Sequence, residues 1–229
     1  MFGLDDMIAN LSDGTTFGIV MAVAVLLGLR HAADPDHLAA VTAVAAGSRD
    51  PGGRRSARLG LAWGGGHALT LFVFGLPIVL FAAYLPGTMQ RGAETLVGLV
   101  IIALAVWLLA RWRRGHFDPA NELDERADAR TPRQAFGVGL LHGIGGSAGV
   151  GAILLATIDN RALAVGGLVV LAAFTAASMT LLTTGFGATL ARRPVQKSLT
   201  RVIPVLGVAS LAFGTWYALG ALELAPYYF

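Results

Sequence analysis

The chain has 229 residues, of which 55% are hydrophobic and only 14% are charged, and its mean hydropathy is +0.66. Soluble domains carry about 25% charged residues, so this composition excludes a soluble fold and indicates an integral membrane protein. The sequence contains no cysteine, which excludes thiolate metal sites, iron–sulfur clusters and cysteine nucleophiles. The formal net charge of +3 does not by itself indicate a nucleic acid partner, and we expect none.

Six apolar stretches are long enough to cross a bilayer, for which a helix needs about 20 residues. They do not alternate in polarity as the strands of an outer-membrane barrel do, so we predict an all-α integral membrane protein with six transmembrane helices. The segment 1–14 contains acidic but no basic residues, and we interpret it as a short tail instead of a signal peptide. The predicted spans are Thr15–Gly47, Ala57–Leu85, Ala93–Trp112, Gln134–Ile158, Ala162–Leu190 and Val202–Leu222.

Basic residues are concentrated in alternate connections between these spans. The first, third and fifth connections, counted with the span ends next to them, hold four, six and four of the 17 Lys and Arg residues, whereas the second and fourth hold one each. The remaining arginine, Arg30, lies within the first span. Since cytoplasmic connections are enriched in Lys and Arg, we predict a multi-pass protein of the cell inner membrane with both termini outside. The segment 113–133 is then a charge-mixed cytoplasmic loop.

The two halves of the sequence resemble each other weakly. GLRHA at Gly28–Ala32 is similar to GLLHG at Gly139–Gly143, and ALTL at Ala68–Leu71 is similar to SMTL at Ser178–Leu181. Each half holds three predicted spans, and an odd number inverts the second copy relative to the first. Inverted repeats are typical of secondary transporters, so we predict a single membrane transporter domain over the whole chain, with chance similarity as the alternative. The repeats comprise about 15–112 and 134–222.

The first predicted span is too long for one straight crossing, since Thr15–Gly47 would form a helix of about 50 Å at 1.5 Å per residue. We predict a break at Asp34 and Pro35, because proline cannot donate to a continuing helix and disfavours the helical conformation of the residue before it. Asp34 is a suitable N-cap for the second part, with Pro35 at the first helical position. The first span is therefore expected to be discontinuous, and its two parts should meet at a polar segment.

That polar segment, HAADPDH, places two histidines and two aspartates at membrane depth. A charged side chain at the bilayer centre costs about 2.5–3.5 kcal/mol, so these groups must face a cavity, one another or a cation. Imidazole and carboxylate ligands suit Ni²⁺, Co²⁺ or Zn²⁺, and residue types alone leave that choice open. Thr175 and Ser178 are further candidates for the cavity lining. The predicted metal-binding residues are His31, Asp34, Asp36, His37, His67 and His142.

Each candidate residue also has a purely structural alternative. His31, Asp36 and His37 can form a purely structural cluster of polar side chains that hydrogen-bonds the free backbone groups at the helix break. Asp34 can be an N-cap. The histidines of the second and fourth spans can serve an interhelical hydrogen bond and glycine-rich packing. A purely structural cluster needs only one or two polar groups, whereas the segment has four, and this favours metal binding.

LGLRHAADPDHLAAV at Leu27–Val41 resembles the signature of the nickel/cobalt transporter family (NiCoT or NicO), in which a helix carries H-x4-D-H. His31, Asp36 and His37 occupy these three positions. GHALTLFVFG at Gly66–Gly75 is similar to the second motif of that family, which opens with Gly-His. The resemblance implies transport of Ni²⁺ or Co²⁺ as substrate, with these three residues and the histidine of the second motif handling the metal. Its layout is similar to the shorter, six-span members.

Two other classes of function remain as alternatives. A membrane-embedded metalloenzyme also uses histidines and carboxylates from helices, but the chain has only five histidines and no H-E-x-x-H motif. A small-anion exporter of the sulfite type has little use for paired aspartates, which repel anions. We therefore predict a transporter in the lipid bilayer with no enzymatic activity and no resident cofactor. The sequence leaves homo-oligomerisation and the direction of transport open.

Overall fold

The protein is all-helical in the part of the chain that the structure describes, as the composition predicts. The computed structural model describes residues 4–45, 53–81, 87–115, 131–143, 148–190 and 192–226. Within these ranges there are eight helices and no strand. The helices are α1 (Leu4–His31), α2 (Pro35–Ala45), α3 (Arg54–Phe81), α4 (Gly87–Arg113), α5 (Pro132–His142), α6 (Ala148–Ala156), α7 (Arg161–Leu190) and α8 (Arg193–Ala221).

Four helices are long and apolar enough to cross a membrane: α3, α4, α7 and the part of α8 from Thr200 to Ala221. A fifth candidate span is the pair Phe17–His31 of α1 and Pro35–Val41 of α2, which are bent by 49° at the break between them. The bend lies at Asp34, directly before Pro35, where the sequence predicts it. The described residues thus contain four to five candidate spans, as expected of a multi-pass membrane protein.

The predicted fourth span, Gln134–Ile158, corresponds to two short helices on either side of residues 144–147, which lie outside the described residues. Helix α5 has 11 residues and α6 has 9, and neither alone reaches the length of about 20 residues that a crossing needs. The count of six spans therefore stays a prediction. Most of the predicted cytoplasmic loop 113–133 also lies outside the described residues, and residues 4–14, predicted as a tail, form the first turns of α1.

The helices pack in pairs around α3 and α7, which contact each other along their length. Helix α5 packs on α3, α1 packs on α7, and α4 pairs with α8. The crossing of α3 and α5 depends on two glycines: a Cβ atom on Gly66 would overlap the carbonyl oxygen of Phe136, and one on Gly139 would overlap that of Trp63. This close backbone approach brings the histidines of the two helices towards each other.

Two apolar clusters enclose the region between these helices. One contains Trp63 and Met179, and the other contains Leu71 and Leu171. Along α3, His67 lies between Trp63 and Leu71, so the histidine is positioned between the two clusters. The packing of α3 and α7 thereby forms an apolar enclosure for a polar site.

Candidate metal centre

Three helix ends meet at the candidate site. Helix α1 ends at His31 and α5 ends at His142, whereas α2 begins at Pro35 and carries Asp36 and His37 in its first turn. Helix α3 adds His67 from its middle. Because the carboxyl end of a helix carries partial negative charge, the ends of α1 and α5 favour a cation between them.

The first group of potential ligands consists of three imidazoles, those of His31, His37 and His67. The Nε2 atoms of His31 and His67 are 2.8 Å apart. The ring centroid of His37 lies 4.5 Å from that of His31 and 4.9 Å from that of His67. One nitrogen of each residue lies within 4.8 Å of the other two. Metal–nitrogen bonds of about 2.0–2.1 Å therefore need only small side-chain shifts here.

The second group consists of Asp36, His37 and His142. The Asp36 carboxylate contacts both histidines: Oδ1 lies 3.2 Å from His37 Nδ1, and Oδ2 lies 3.1 Å from His142 Nε2. The contact with His142 joins residues that are 106 positions apart. His37 belongs to both groups, so the two groups form one continuous cluster of four imidazoles and one carboxylate.

The cluster is shielded from solvent, and several of its polar atoms lack protein partners. His67 and His142 are fully buried, and the other three residues of the two groups are at most 6% exposed. His37 Nε2, His67 Nδ1 and His142 Nδ1 have no hydrogen-bond partner among the described residues. A buried polar group left without a partner costs about 1–3 kcal/mol. These histidines therefore satisfy one another only in part, and a bound cation would offset that cost.

Asp34 lies beside His31 and outside both groups. Its Oδ2 atom is 3.4 Å from His31 Nδ1, and its Oδ1 atom is 3.4 Å from the guanidinium of Arg30. A carboxylate at one ring nitrogen of a histidine orients the other nitrogen towards a metal, and here the other nitrogen is the one that faces His67. The backbone carbonyl of Asp34 accepts a hydrogen bond from Leu38 N at 3.0 Å, so the residue also begins α2 as an N-cap does.

Trp63 is a residue of the site that the sequence analysis missed. It is fully buried, and its ring centroid lies 5.7 Å from that of His37 and 6.2 Å from that of His142. Its Nε1 atom has no partner in the described part of the chain. An indole N–H only donates, so Trp63 cannot bind a metal but can donate to a water molecule. The sequence feature that could have identified Trp63 is its spacing, because a residue four positions before His67 lies on the same helix face.

The hydroxyl residues of α3 and α7 make two corresponding contacts. Thr70 Oγ1 donates to the carbonyl oxygen of Leu140 at 3.0 Å, and Ser178 Oγ donates to that of Gly28 at 2.8 Å. Each bond joins a long central helix to the helix that ends in a site histidine. Thr175, the other predicted lining residue, is fully buried, and its hydroxyl is without a partner among the residues described.

Comparison with curated proteins finds a similarity to the urease accessory protein UreH of Bacillus sp. (strain TB-90), with 25% identity over 148 residues. The alignment covers 62% of this chain and 64% of that relative, which is less than two thirds of either protein. No protein-family model matches the chain. No solved structure matches it.

Proposed function

We propose that this protein transports a divalent transition-metal cation, Ni²⁺ or Co²⁺ or both, across a cell inner membrane. The observation that carries the proposal is the buried cluster of His31, Asp36, His37, His67 and His142, which four helices of a multi-pass membrane protein contribute. Imidazole-rich sites with one carboxylate suit borderline dications. The name of the relative adds to this, because urease is a nickel enzyme, and the motif resemblance to nickel/cobalt transporters points to the same metals.

Broken helices around the cluster support transport over permanent metal storage. Transporters place ion sites at discontinuous helices, whose ends supply partial charges. Here α1 and α2 are bent at the site, and α5 ends there at His142. The metal is therefore the cargo of the proposed protein and not a resident cofactor, and the proposal includes no chemical conversion of a substrate.

Paired packing supports an arrangement of six spans in two inverted halves. Helix α5 packs on α3 as α1 packs on α7, and the bond from Thr70 to Leu140 corresponds to that from Ser178 to Gly28. In this arrangement α5 and α6 form the fourth span, as α1 and α2 form the first. With six crossings both termini lie outside, which agrees with the distribution of basic residues.

Transport in this arrangement begins when a hydrated cation exchanges water for the imidazoles and the carboxylate of the cluster. The two halves then rock about the site and expose it to the other side. A dication that moves inward gains about 4.6 kcal/mol from a membrane potential of 100 mV, twice the value for a single charge. This is enough to drive uptake without a second coupled ion.

Metal flux into proteoliposomes that contain the purified chain tests the proposal. We expect Ni²⁺ uptake that increases with an inside-negative potential and that Co²⁺ inhibits more strongly than Mn²⁺. The Asp36→Ala, His37→Ala double variant should reduce uptake to the level of empty liposomes. His116→Ala, which removes the one histidine outside the predicted spans, is the matched control and should retain wild-type uptake. Wild-type uptake in the double variant would refute the assignment of the site.

A further inference from the structure

His37 takes part in both groups of potential ligands, and its two ring nitrogens have different surroundings. Nδ1 lies 3.2 Å from the Asp36 carboxylate, whereas Nε2 is buried and has no hydrogen-bond partner within the described ranges. The two nitrogens flank the same ring carbon, Cε1, and point outward in different directions. A single ring can therefore offer a different nitrogen to each of two metal positions.

We propose that the cluster comprises two overlapping metal stations that share His37 and that hold the cation one after the other. The three-histidine station consists of His31, His67 and His37 through Nε2. The carboxylate station consists of Asp36, His142 and His37 through Nδ1. This inference rests on the proposed transport of a dication and adds a path for that dication within the site.

The other contacts within the cluster also separate into two sets, one for each station. The Nε2 atoms of His31 and His67 are 2.8 Å apart, and both Asp36 oxygens are engaged by the carboxylate station, at 3.2 Å to His37 and 3.1 Å to His142. Each station thus draws on different helices: α1 and α3 for the first, and α5 for the second, with α2 common to both. Movement of one half relative to the other can open one station while it closes the other.

The two stations differ in charge and in chemical preference. Three neutral imidazoles leave a bound dication with its full charge, whereas the Asp36 carboxylate neutralises half of it, which matters in a medium of low dielectric constant. Imidazole suits Ni²⁺, Co²⁺ and Zn²⁺, and carboxylate oxygen also accepts Mn²⁺. The three-histidine station therefore selects the cation, and the carboxylate station holds it most tightly.

Simultaneous occupancy is unfavourable, because a neutral imidazole has only one unprotonated ring nitrogen and because two neighbouring dications repel each other strongly in a buried site. We accordingly expect one metal ion per chain at saturation. The cation leaves one station as the other acquires it. His37 is a ligand in both stations, and its one ring proton moves from Nδ1 to Nε2 when the cation passes from the three-histidine station to the carboxylate station. Loss of His37 should thus weaken binding more than loss of any other single histidine.

X-ray absorption spectroscopy of the full chain with one equivalent of Ni²⁺, combined with equilibrium dialysis, tests the two stations. His142→Ala and Asp36→Asn should each leave a bound Ni²⁺ with three imidazole ligands. His31→Ala and His67→Ala should leave Ni²⁺ with two imidazoles and a carboxylate oxygen, the ligands of the station that holds the cation most tightly. His37→Ala should weaken binding at least 100-fold, and His116→Ala should change nothing. Circular dichroism spectra identify any variant that fails to fold, and the second variant of the same station then replaces it.

The outcomes separate this inference from the transport proposal. Ni²⁺ flux by the wild type, together with the same ligand set in His67→Ala and His142→Ala, would overturn the two stations and leave transport standing. Binding of two Ni²⁺ ions per wild-type chain would overturn the proposal that the two stations are occupied one after the other. A wild-type chain that neither binds nor transports Ni²⁺ would overturn both proposals.

Discussion

The Nε2 atoms of His31 and His67 lie 2.8 Å apart and join the end of α1 to the middle of α3. One of the two nitrogens must donate a proton and the other must accept it. The Asp34 carboxylate beside His31 Nδ1 favours the tautomer of His31 with its proton on Nδ1, which leaves Nε2 as the acceptor. A cation that binds between the two nitrogens replaces this hydrogen bond, and the proton of His67 then moves to Nδ1, an atom without a partner in the described structure.

Asp34→Ala should weaken Ni²⁺ binding by about 10–100-fold, the usual effect of removing a carboxylate that orients a metal-binding histidine. The ligand set of the bound metal should stay the same, because Asp34 lies outside both groups. Titration calorimetry gives the affinity, and X-ray absorption gives the ligand set. Arg30→Ala removes the other partner of the same carboxylate and should have little effect. Loss of one oxygen ligand in Asp34→Ala would show that Asp34 binds the metal directly.

Lowering the pH should weaken Ni²⁺ binding, because a histidine coordinates a metal through an unprotonated ring nitrogen and protons compete with the cation for that nitrogen. We therefore expect the apparent affinity for Ni²⁺ to decrease as the pH is lowered from neutrality into the acid range. Proton release per bound Ni²⁺, measured with an indicator dye in weak buffer, should rise over the same range. Binding that is independent of pH would contradict coordination by histidine.

Gly139→Ala should separate α5 from α3, since the added Cβ atom overlaps the backbone carbonyl of Trp63 and a helix backbone cannot yield locally. Overpacking of this kind costs about 1–3 kcal/mol, and the shift of α5 should also lower Ni²⁺ affinity through His142. Thermal unfolding and Ni²⁺ titration measure the two effects. Gly137→Ala, on the same helix where no atom lies within 4 Å of the new Cβ position, is the matched control. Equal thermal stability and equal Ni²⁺ affinity of the two variants would refute the close crossing of α3 and α5.

The absence of cysteine from the sequence permits a direct test of the predicted topology. Single cysteines at Phe2, Arg91 and Phe229 should react with an impermeant thiol reagent added outside intact cells, because six crossings place all three on that side. A cysteine at Arg126 should react only after the membrane is made permeable. With five crossings, Phe2 and Phe229 would be labelled from opposite sides.

The local features of the fold could be predicted from the sequence. The break in the first span follows from the chemistry of Asp34 and Pro35, and the presence of buried polar residues follows from histidines and aspartates within apolar stretches. The division of these residues into two groups could not be predicted, because it depends on where α5 crosses α3. That crossing is fixed by contacts between Gly66, Gly139 and distant backbone atoms, and no local pattern specifies which glycine meets which carbonyl.

Two hydrogen bonds between helices do not follow the register of the weak sequence similarity between the two halves, and the repeat itself stays a prediction. The match of ALTL with SMTL aligns Thr70 with Thr180, but the hydrogen bonds to Leu140 and Gly28 pair Thr70 with Ser178. Short matches in sequences rich in Ala, Gly and Leu tolerate such a shift, since neighbouring registers have nearly the same composition. Contacts between helices depend on which residue faces the partner, and this distinguishes one register from the next.

The initial rate of Ni²⁺ entry into proteoliposomes, compared between the wild type and Asp36→Asn, tests most directly whether the buried cluster conducts the cation. The substitution preserves the size of the side chain that lies between His37 and His142, removes its charge and replaces one of its two oxygens with an amide nitrogen, which cannot bind a metal. We predict a wild-type rate well above that of empty liposomes and a loss of at least tenfold in the variant. Equal rates for the two proteins, or a wild-type rate no higher than that of empty liposomes, would contradict the proposed role of the site.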